Sequence, residues 1–296
     1  MPGIVSNVLL VSINFLPDIM LFSSKFNTLS SDEINKLSFD KFNTLYKNKY
    51  NTTLDPNWLG WFVGFSEGDG YLGINEGRLV FVLTQKESKI LYEIMEILKF
   101  GYVKEFDGFS RYIVRDQSSV FLLFHLFNGN LLMLHRIEQL KEWAQQWNRK
   151  VNNKDNILKT IDSPIKFSLN NSWFSGFVDA EGCFNAYVTK SNKSVVLRFI
   201  VDQKNEVLLF NVLKNILSYG SIYIRKNNNF RYVVTNLNSL SIMINYFNGF
   251  ELRTKKQLAF NKWVFIYNCV INKEHKSPEG IEKIKVLSKL VNENND

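Results

Sequence analysis

Two carboxylates, Asp69 and Glu181, each stand directly before a glycine at the end of a short apolar run, and the two runs are nearly the same. The first is Trp58-Leu59-Gly60-Trp61-Phe62-Val63-Gly64-Phe65-Ser66-Glu67-Gly68-Asp69-Gly70 and the second is Ser172-Trp173-Phe174-Ser175-Gly176-Phe177-Val178-Asp179-Ala180-Glu181-Gly182. A duplicated fold would bring such acids together at one central site. Like charges that approach resist ionising together, and bound divalent cations relieve the repulsion, so the chemistry indicated is metal-assisted. The three histidines, His125, His135 and His275, show neither metal-ligand spacing nor a nucleophile-base arrangement. Cys183 and Cys269 are too few and too far apart for a zinc site.

The acids need helices to hold them. Small residues recur at every fourth position, Gly60/Gly64/Gly68 and Ser172/Gly176/Ala180, which on a helix makes a smooth stripe for close approach of a second backbone. Glycine inside a helix costs about 1 kcal/mol relative to alanine, and close packing of the two helices is the compensating reason. Taken alone, either stripe fits ordinary helix packing and either acid-glycine pair fits a solvated helix stop; the second copy shifts the balance toward a shared site. Gly70 and Gly182 are expected in the left-handed conformation that ends a helix. The acids then sit at helix C-termini, where the macrodipole disfavours negative charge.

The repeat continues beyond the motif with a nearly constant offset. The acids are 112 positions apart, Gln85 answers to Gln203 at 118, and Arg111-Tyr112-Ile113-Val114 answers to Arg231-Tyr232-Val233-Val234 at 120. Asn128-Gly129 and Trp143 match Asn248-Gly249 and Trp263, also at 120. The drift is a longer polar turn around Lys190-Ser191-Asn192-Lys193-Ser194. In each copy the motif helix precedes a hairpin, a helix, a second hairpin and two helices. The first hairpin spans Tyr71 to Gln85 and the helix after it Ser88 to Phe100; their counterparts run from Cys183 to Gln203 and from Asn205 to Tyr219. The fold class expected is α+β: two pseudo-twofold-related αββαββαα halves, each with a four-stranded antiparallel sheet.

Residues 1–52 form an N-terminal extension of unknown role, 53–147 the first half, 148–171 a polar linker, 172–276 the second half and 277–296 a tail of weak helical character. The apolar window Val8 to Phe22 is interrupted by Asn14, Pro17 and Asp18 and falls short of a membrane span of ~20 residues, so no membrane role is expected. A net charge of +8 points to a polyanionic partner. Lysine outnumbers arginine three to one and alanine occurs only at positions 144, 180, 186 and 259, as in AT-rich organellar coding sequence.

The motifs resemble those of single-chain LAGLIDADG homing endonucleases of the kind encoded in fungal mitochondrial introns. Gly64 to Gly70 and Gly176 to Gly182 fit the last seven motif positions, and the likeness extends from about Asn57 to Tyr267. The resemblance implies a monomeric, mitochondrial endonuclease with internal pseudo-twofold symmetry that makes a staggered double-strand break in a long pseudo-palindromic target. It implies that Asp69 and Glu181, with the carbonyls of Gly68 and Ala180, hold Mg²⁺ (or Mn²⁺) at the scissile phosphates. Gln85 and Gln203 match the polar residues that order water there, and Lys255 or Lys256 matches a basic residue near a scissile phosphate. His135 and Arg136 occupy those last positions in the first half, a departure that puts equal cutting of the two strands in question.

An outward sheet face can lie along a major groove of double-stranded DNA. Asn75, Arg78, Lys104, Arg111 and Arg115 are the first-half candidates for that contact, and Asn185, Tyr187, Thr189, Arg198, Tyr223, Arg225, Arg231 and Thr235 the second-half ones. A register slip of one residue would invert these faces. The rival functions are an RNA-binding intron maturase, alone or alongside cleavage, and a non-catalytic DNA-binding regulator. Retention of both acids favours cleavage. An intein is not expected, because the flanking nucleophile and terminal His-Asn of protein splicing are missing from the sequence.

Overall fold

A computed structural model describes residues 36–151, 156–189, 191 and 194–293. The apolar window Val8 to Phe22 and part of the polar turn at 190–194 lie outside them. Helix α1 (Asp40–Tyr50) is followed by the first repeat: α2 (Pro56–Asp69), β1 (Gly70–Asn75), β2 (Arg78–Gln85), α3 (Ser88–Leu98), β3 (Tyr102–Phe106), β4 (Phe109–Val114), α4 (Gln117–Phe127) and α5 (Leu134–Asn148). The second repeat is α6 (Trp173–Glu181), β5 (Gly182–Val188), β6 (Val195–Lys204), α7 (Val207–Leu217), β7 (Ser221–Ile224), β8 (Asn229–Val234), α8 (Leu237–Gly249) and α9 (Lys256–Ile271). The sheets have the same antiparallel order, β1-β2-β4-β3 and β5-β6-β8-β7. The expected α+β class and the duplicated αββαββαα order both hold.

The same contacts recur in each half. Phe62, Phe81 and Phe127 pack with ring centroids 5.5–6.2 Å apart, and Phe174, Phe199 and Phe247 repeat the arrangement at 5.9–6.2 Å. The Trp143 indole donates to the Gly73 carbonyl (2.9 Å) and the Trp263 indole to that of Asn185 (3.1 Å). These tie the last helix of each half to the first strand of its sheet. Alternation along the strands buries Leu72, Leu79, Phe81 and Leu83 under the first sheet and Phe184, Ala186, Leu197 and Phe199 under the second.

Gly70 and Gly182 depart from the expected left-handed caps. Their φ values are −80° and −86°, so each is extended and opens a strand. Glycine is required there by proximity: a Cβ on Gly70 would strike the Ser66 carbonyl, and one on Gly182 would strike Val178. Helix therefore turns into strand immediately after each acid.

Elements outside the repeat also join this core. Phe42 and Tyr46 of α1 are fully buried, and the Tyr46 hydroxyl donates to the carbonyls of Ile97 and Leu98 at the end of α3 (3.1 and 3.3 Å). The tail forms α10 (Pro278–Glu293), which buries Ile284 and Val291 and packs against α9 and β5. No helix among the described residues is long and apolar enough to cross a membrane.

Candidate active site

The two motif helices, α2 and α6, lie against each other along their small-residue stripes. A side chain on Gly64 would collide with the Trp173 carbonyl, and one on Gly176 with the Trp61 carbonyl. Further along, Gly68 meets Ala180, and a Cβ there would lie 3.3 Å from Cγ of Glu181. The C-terminal ends of the helices are therefore in contact, and Asp69 and Glu181 share one half-buried cluster.

Burial raises the Asp69 carboxyl above its usual range, opposed by the Lys256 charge, the Gln85 hydrogen bond and the Arg136 charge. Glu181 is pushed up to about 7, by burial first and then by the charge of Asp69. Two cations answer them. Lys256 Nζ donates to the carbonyls of Ala180 (2.7 Å) and Val178 (3.3 Å). Arg136 donates from Nε to the Glu67 carbonyl and from NH2 to that of Gly68, both at 3.0 Å. Arg136 and Lys256 thus cap the negative ends of α2 and α6 in matching ways. At the departure at 135–136, Arg136 makes the first-half counterpart of the Lys256 contact. The backbone amide of Lys255 approaches Oε2 of Glu87 (3.4 Å), and His135 Nδ1 lies 3.2 Å from Oε1 of Glu206, so both positions make contacts between the halves.

The glutamines are unequal. The Gln85 amide donates to Asp69 Oδ2, whereas Nε2 of Gln203 points at the Met133 sulfur, 3.7 Å away.

Two further carboxylates, Glu67 and Asp179, lie two residues before each acid and were not recognised from sequence, where an acid in mid-helix reads as solvated. Both are buried. Glu67 accepts from the amides of Leu132 (2.9 and 3.0 Å) and Met133 (2.7 Å) and from the Trp173 indole (2.6 Å). Asp179 accepts from the amides of Arg253 (2.7 Å) and Thr254 (3.2 Å), the Thr254 hydroxyl (2.6 Å) and the Trp61 indole (2.8 Å). Their recurrence at the motif offset of 112 was the signal available.

Four carboxyl groups thus cluster with two cations, burial raises all four, and a divalent ion at Asp69 and Glu181 would favour their ionised forms. Among the described residues no group of three or more histidine, cysteine, aspartate or glutamate side chains forms a self-sufficient metal cage. The donor set still suits Mg²⁺ or Mn²⁺. Its oxygens are hard, and Mg²⁺ commonly takes one or two protein carboxylates while water and substrate phosphates complete its shell. The Gly68 and Ala180 carbonyls each keep a second lone pair beyond the one that Arg136 or Lys256 uses.

Strand register puts the candidates that lie within strands on outward faces. Asn75 pairs with Arg78 and Lys104 with Arg111 in the first half; Asn185 pairs with Arg198 and Tyr223 with Arg231 in the second. Arg115 and Thr235 lie exposed just beyond β4 and β8. The second face is more strongly prearranged. Asn185 Oδ1 accepts from Nε (2.9 Å) and NH2 (2.5 Å) of Arg198, whose guanidinium stacks 5.0 Å from the Tyr187 ring. Arg231 forms a two-point ion pair with Asp202 (2.7 and 2.6 Å), and Arg225 lies 3.8 Å from the same carboxylate. Arg231 and Arg225 are therefore partly neutralised, a restraint that sequence pattern did not reveal. Thr189 bonds back to Ser191 and Ser194 within its own turn. On the first face Arg111 lies over Phe106 and Phe109, and Lys104 over Phe106.

The LAGLIDADG endonuclease family profile matches residues 174–267, from the second motif helix into α9. This stretch of the chain is similar to the LAGLIDADG endonuclease family. The chain's sequence is 39% identical over 242 residues to probable intron-encoded endonuclease 4 of Neurospora crassa, covering 78% of this chain and 44% of that protein. It is 27% identical over 230 residues to the intron-encoded RNA maturase bI4 of Saccharomyces cerevisiae, covering 71% and 33%. The chain thus spans less than half the length of either relative. Among solved structures it resembles the LAGLIDADG meganuclease I-AabMI bound to uncleaved DNA, with a TM-score of 0.64 at 22% identity over 80% of this chain and 98% of that one. The paired helices α2 and α6 carry the two copies of the repeated motif.

Proposed function

We propose that this chain is a monomeric, mitochondrial, site-specific DNA endonuclease that makes a staggered double-strand break in a long, nearly palindromic duplex. The observation that carries this reading is the meeting of Asp69 and Glu181, one from each half, where the helices end and the first strands of two cation-bearing sheets begin. One acid per half suits the cutting of two strands related by the same pseudo-dyad.

When bound, Mg²⁺ (or Mn²⁺) at Asp69, Glu181 and the carbonyls of Gly68 and Ala180 would activate water and stabilise the departing 3′ oxygen. Everything else falls to the chain. Lys256 and Arg136 hold the carbonyl ends of the helices in place and supply positive charge beside the phosphates. Gln85 orients the Asp69 carboxylate. Outward cations on both sheets attract and align the duplex, with phosphate contacts setting position and base contacts setting sequence. The likeness to the family and the donor chemistry support this reading.

Asp69→Asn and Glu181→Gln each test it. Both are expected to abolish double-strand cleavage of a selected target, read by plasmid linearisation, while gel-shift affinity persists because loss of negative charge does not weaken phosphate attraction. Undiminished cleavage would refute the assignment. A second reading, a splicing cofactor for intron RNA, is favoured by the likeness to the yeast maturase. Acceleration of host-intron splicing in vitro that survives both substitutions would establish it.

A further inference from the structure

We infer that the indoles of Trp61 and Trp173 are crossed positioning residues: each belongs to one half and fixes the basic side chain that caps the motif helix of the other half.

The chain of contacts is short. Trp61, on α2, donates to Oδ2 of Asp179, on α6. The same carboxylate receives the amides of Arg253 and Thr254 and the Thr254 hydroxyl, which pins the turn leading into α9. Lys256 follows two residues later, with Nζ on the Ala180 carbonyl. The first-half route mirrors it. Trp173, on α6, donates to Oε2 of Glu67, which holds the amides of Leu132 and Met133, and Arg136 three residues later reaches the Gly68 carbonyl.

The indoles supply what the carboxylates otherwise lack. Both acids are buried, and a buried carboxylate is held by converging donors. Each has donors from its own half and one from across the dyad, so through this carboxylate the indole makes the loop position depend on the other half. The opposite half reinforces the link at one end: the Arg253 guanidinium lies 5.6 Å from the Trp61 ring centroid and 3.7 Å from Glu93.

Trp61→Phe removes the N–H and keeps a ring to stack on Phe65. In this variant, hydrogen exchange of the Arg253 and Thr254 amides is expected to accelerate about tenfold, the factor expected for loss of one hydrogen bond of typical net strength, with Leu132 and Met133 unchanged. Trp173→Phe is expected to give the reverse. Exchange that rises on the same side as the substitution, or equally on both, overturns the inference. This measurement uses the metal-free protein and does not depend on cleavage.

The second arm rests on the endonuclease reading. Lys256→Met and Arg136→Met each identify the strand whose nicking slows more. Trp61→Phe is expected to slow the strand that Lys256→Met slows, and Trp173→Phe the one that Arg136→Met slows. Equal slowing of both strands, or the uncrossed assignment, overturns the inference. If the parent protein cuts neither strand, the endonuclease reading fails and the exchange pattern alone decides the crossing. Asp179→Asn, which keeps the shape and loses the charge, is the second variant should Trp61→Phe fold poorly; it is expected to loosen the same two amides, and unchanged exchange there counts against the route.

Discussion

The side-chain amide of Gln85 donates to Oδ2 of Asp69, while the matching amide of Gln203 is aimed at the sulfur of Met133 in the other half. The two halves of the site are therefore supported unequally. Residues that orient a metal-binding carboxylate typically contribute about 10–100-fold to affinity or activity, so Gln85→Leu is expected to slow cleavage by that amount and Gln203→Leu by clearly less. Strand-resolved nicking rates would check this, and equal effects would show that the glutamines act alike once DNA is bound.

The closeness of α2 and α6 at Gly64 permits a sharp stability comparison. Gly64→Ala forces a methyl group onto the Trp173 carbonyl, a backbone atom that cannot swing aside. It is expected to destabilise the fold by about 3 kcal/mol, the upper part of the usual range for overpacking. Gly249→Ala, at a position with no atoms nearby and no positive φ, is expected to change stability by less than about 0.5 kcal/mol. Denaturant unfolding of the two variants would test the contrast.

His125 predicts a pH response. It sits between Phe121 and Phe124, with ring centroids at 4.6 and 5.4 Å, and burial, aided by the charge of Lys41, lowers it to about 4. Unfolded, it takes up a proton near its ordinary value of 6.5. Between these values the unfolded chain binds more protons, so the stability that neutral His125 contributes is complete above pH 6.5 and declines as pH falls toward 4. His125→Gln is expected to flatten this part of the stability curve, measured by urea midpoints at pH 4.5 and 7.

The sheet faces separate specificity from general attraction. Arg198, oriented by Asn185 and Tyr187, has the preorganisation of a base reader, and Arg198→Ala is expected to relax preference at one base pair by about 1–3 kcal/mol. Lys104→Ala is expected to weaken binding to all sequences alike and to lower the salt slope by about one. Binding to a panel of single-base variants at several salt concentrations distinguishes these outcomes.

Much of this was legible from residue order because the fold states itself twice. A recurring glycine stripe, strand alternation and a steady offset specify helices, sheets and faces together, and the register agrees with the alternation throughout. Gly70 and Gly182 were misread because a glycine after a helix usually signals a left-handed turn, whereas here crowding by Ser66 and Val178 demands it. Helix α1 has no second copy to reveal its role, and its burial depends on carbonyls at the distant end of α3. The turning of Gln203 toward Met133 and the neutralisation of Arg231 by Asp202 arise from neighbours that linear spacing does not bring together.

The reciprocal indole-carboxylate pairs also bear on how such proteins can be recombined. In a chimaera built from halves of different parents, each transplanted piece brings one indole and one carboxylate, and each must find its complement on a foreign surface. Glu67 and Asp179 differ by one methylene, so two copies of the second half arranged about the dyad would offer Trp173 a shorter acceptor than the one it meets here. Compatibility between parents is therefore decided by matching these four buried positions as a set, before any DNA-contacting residue is chosen.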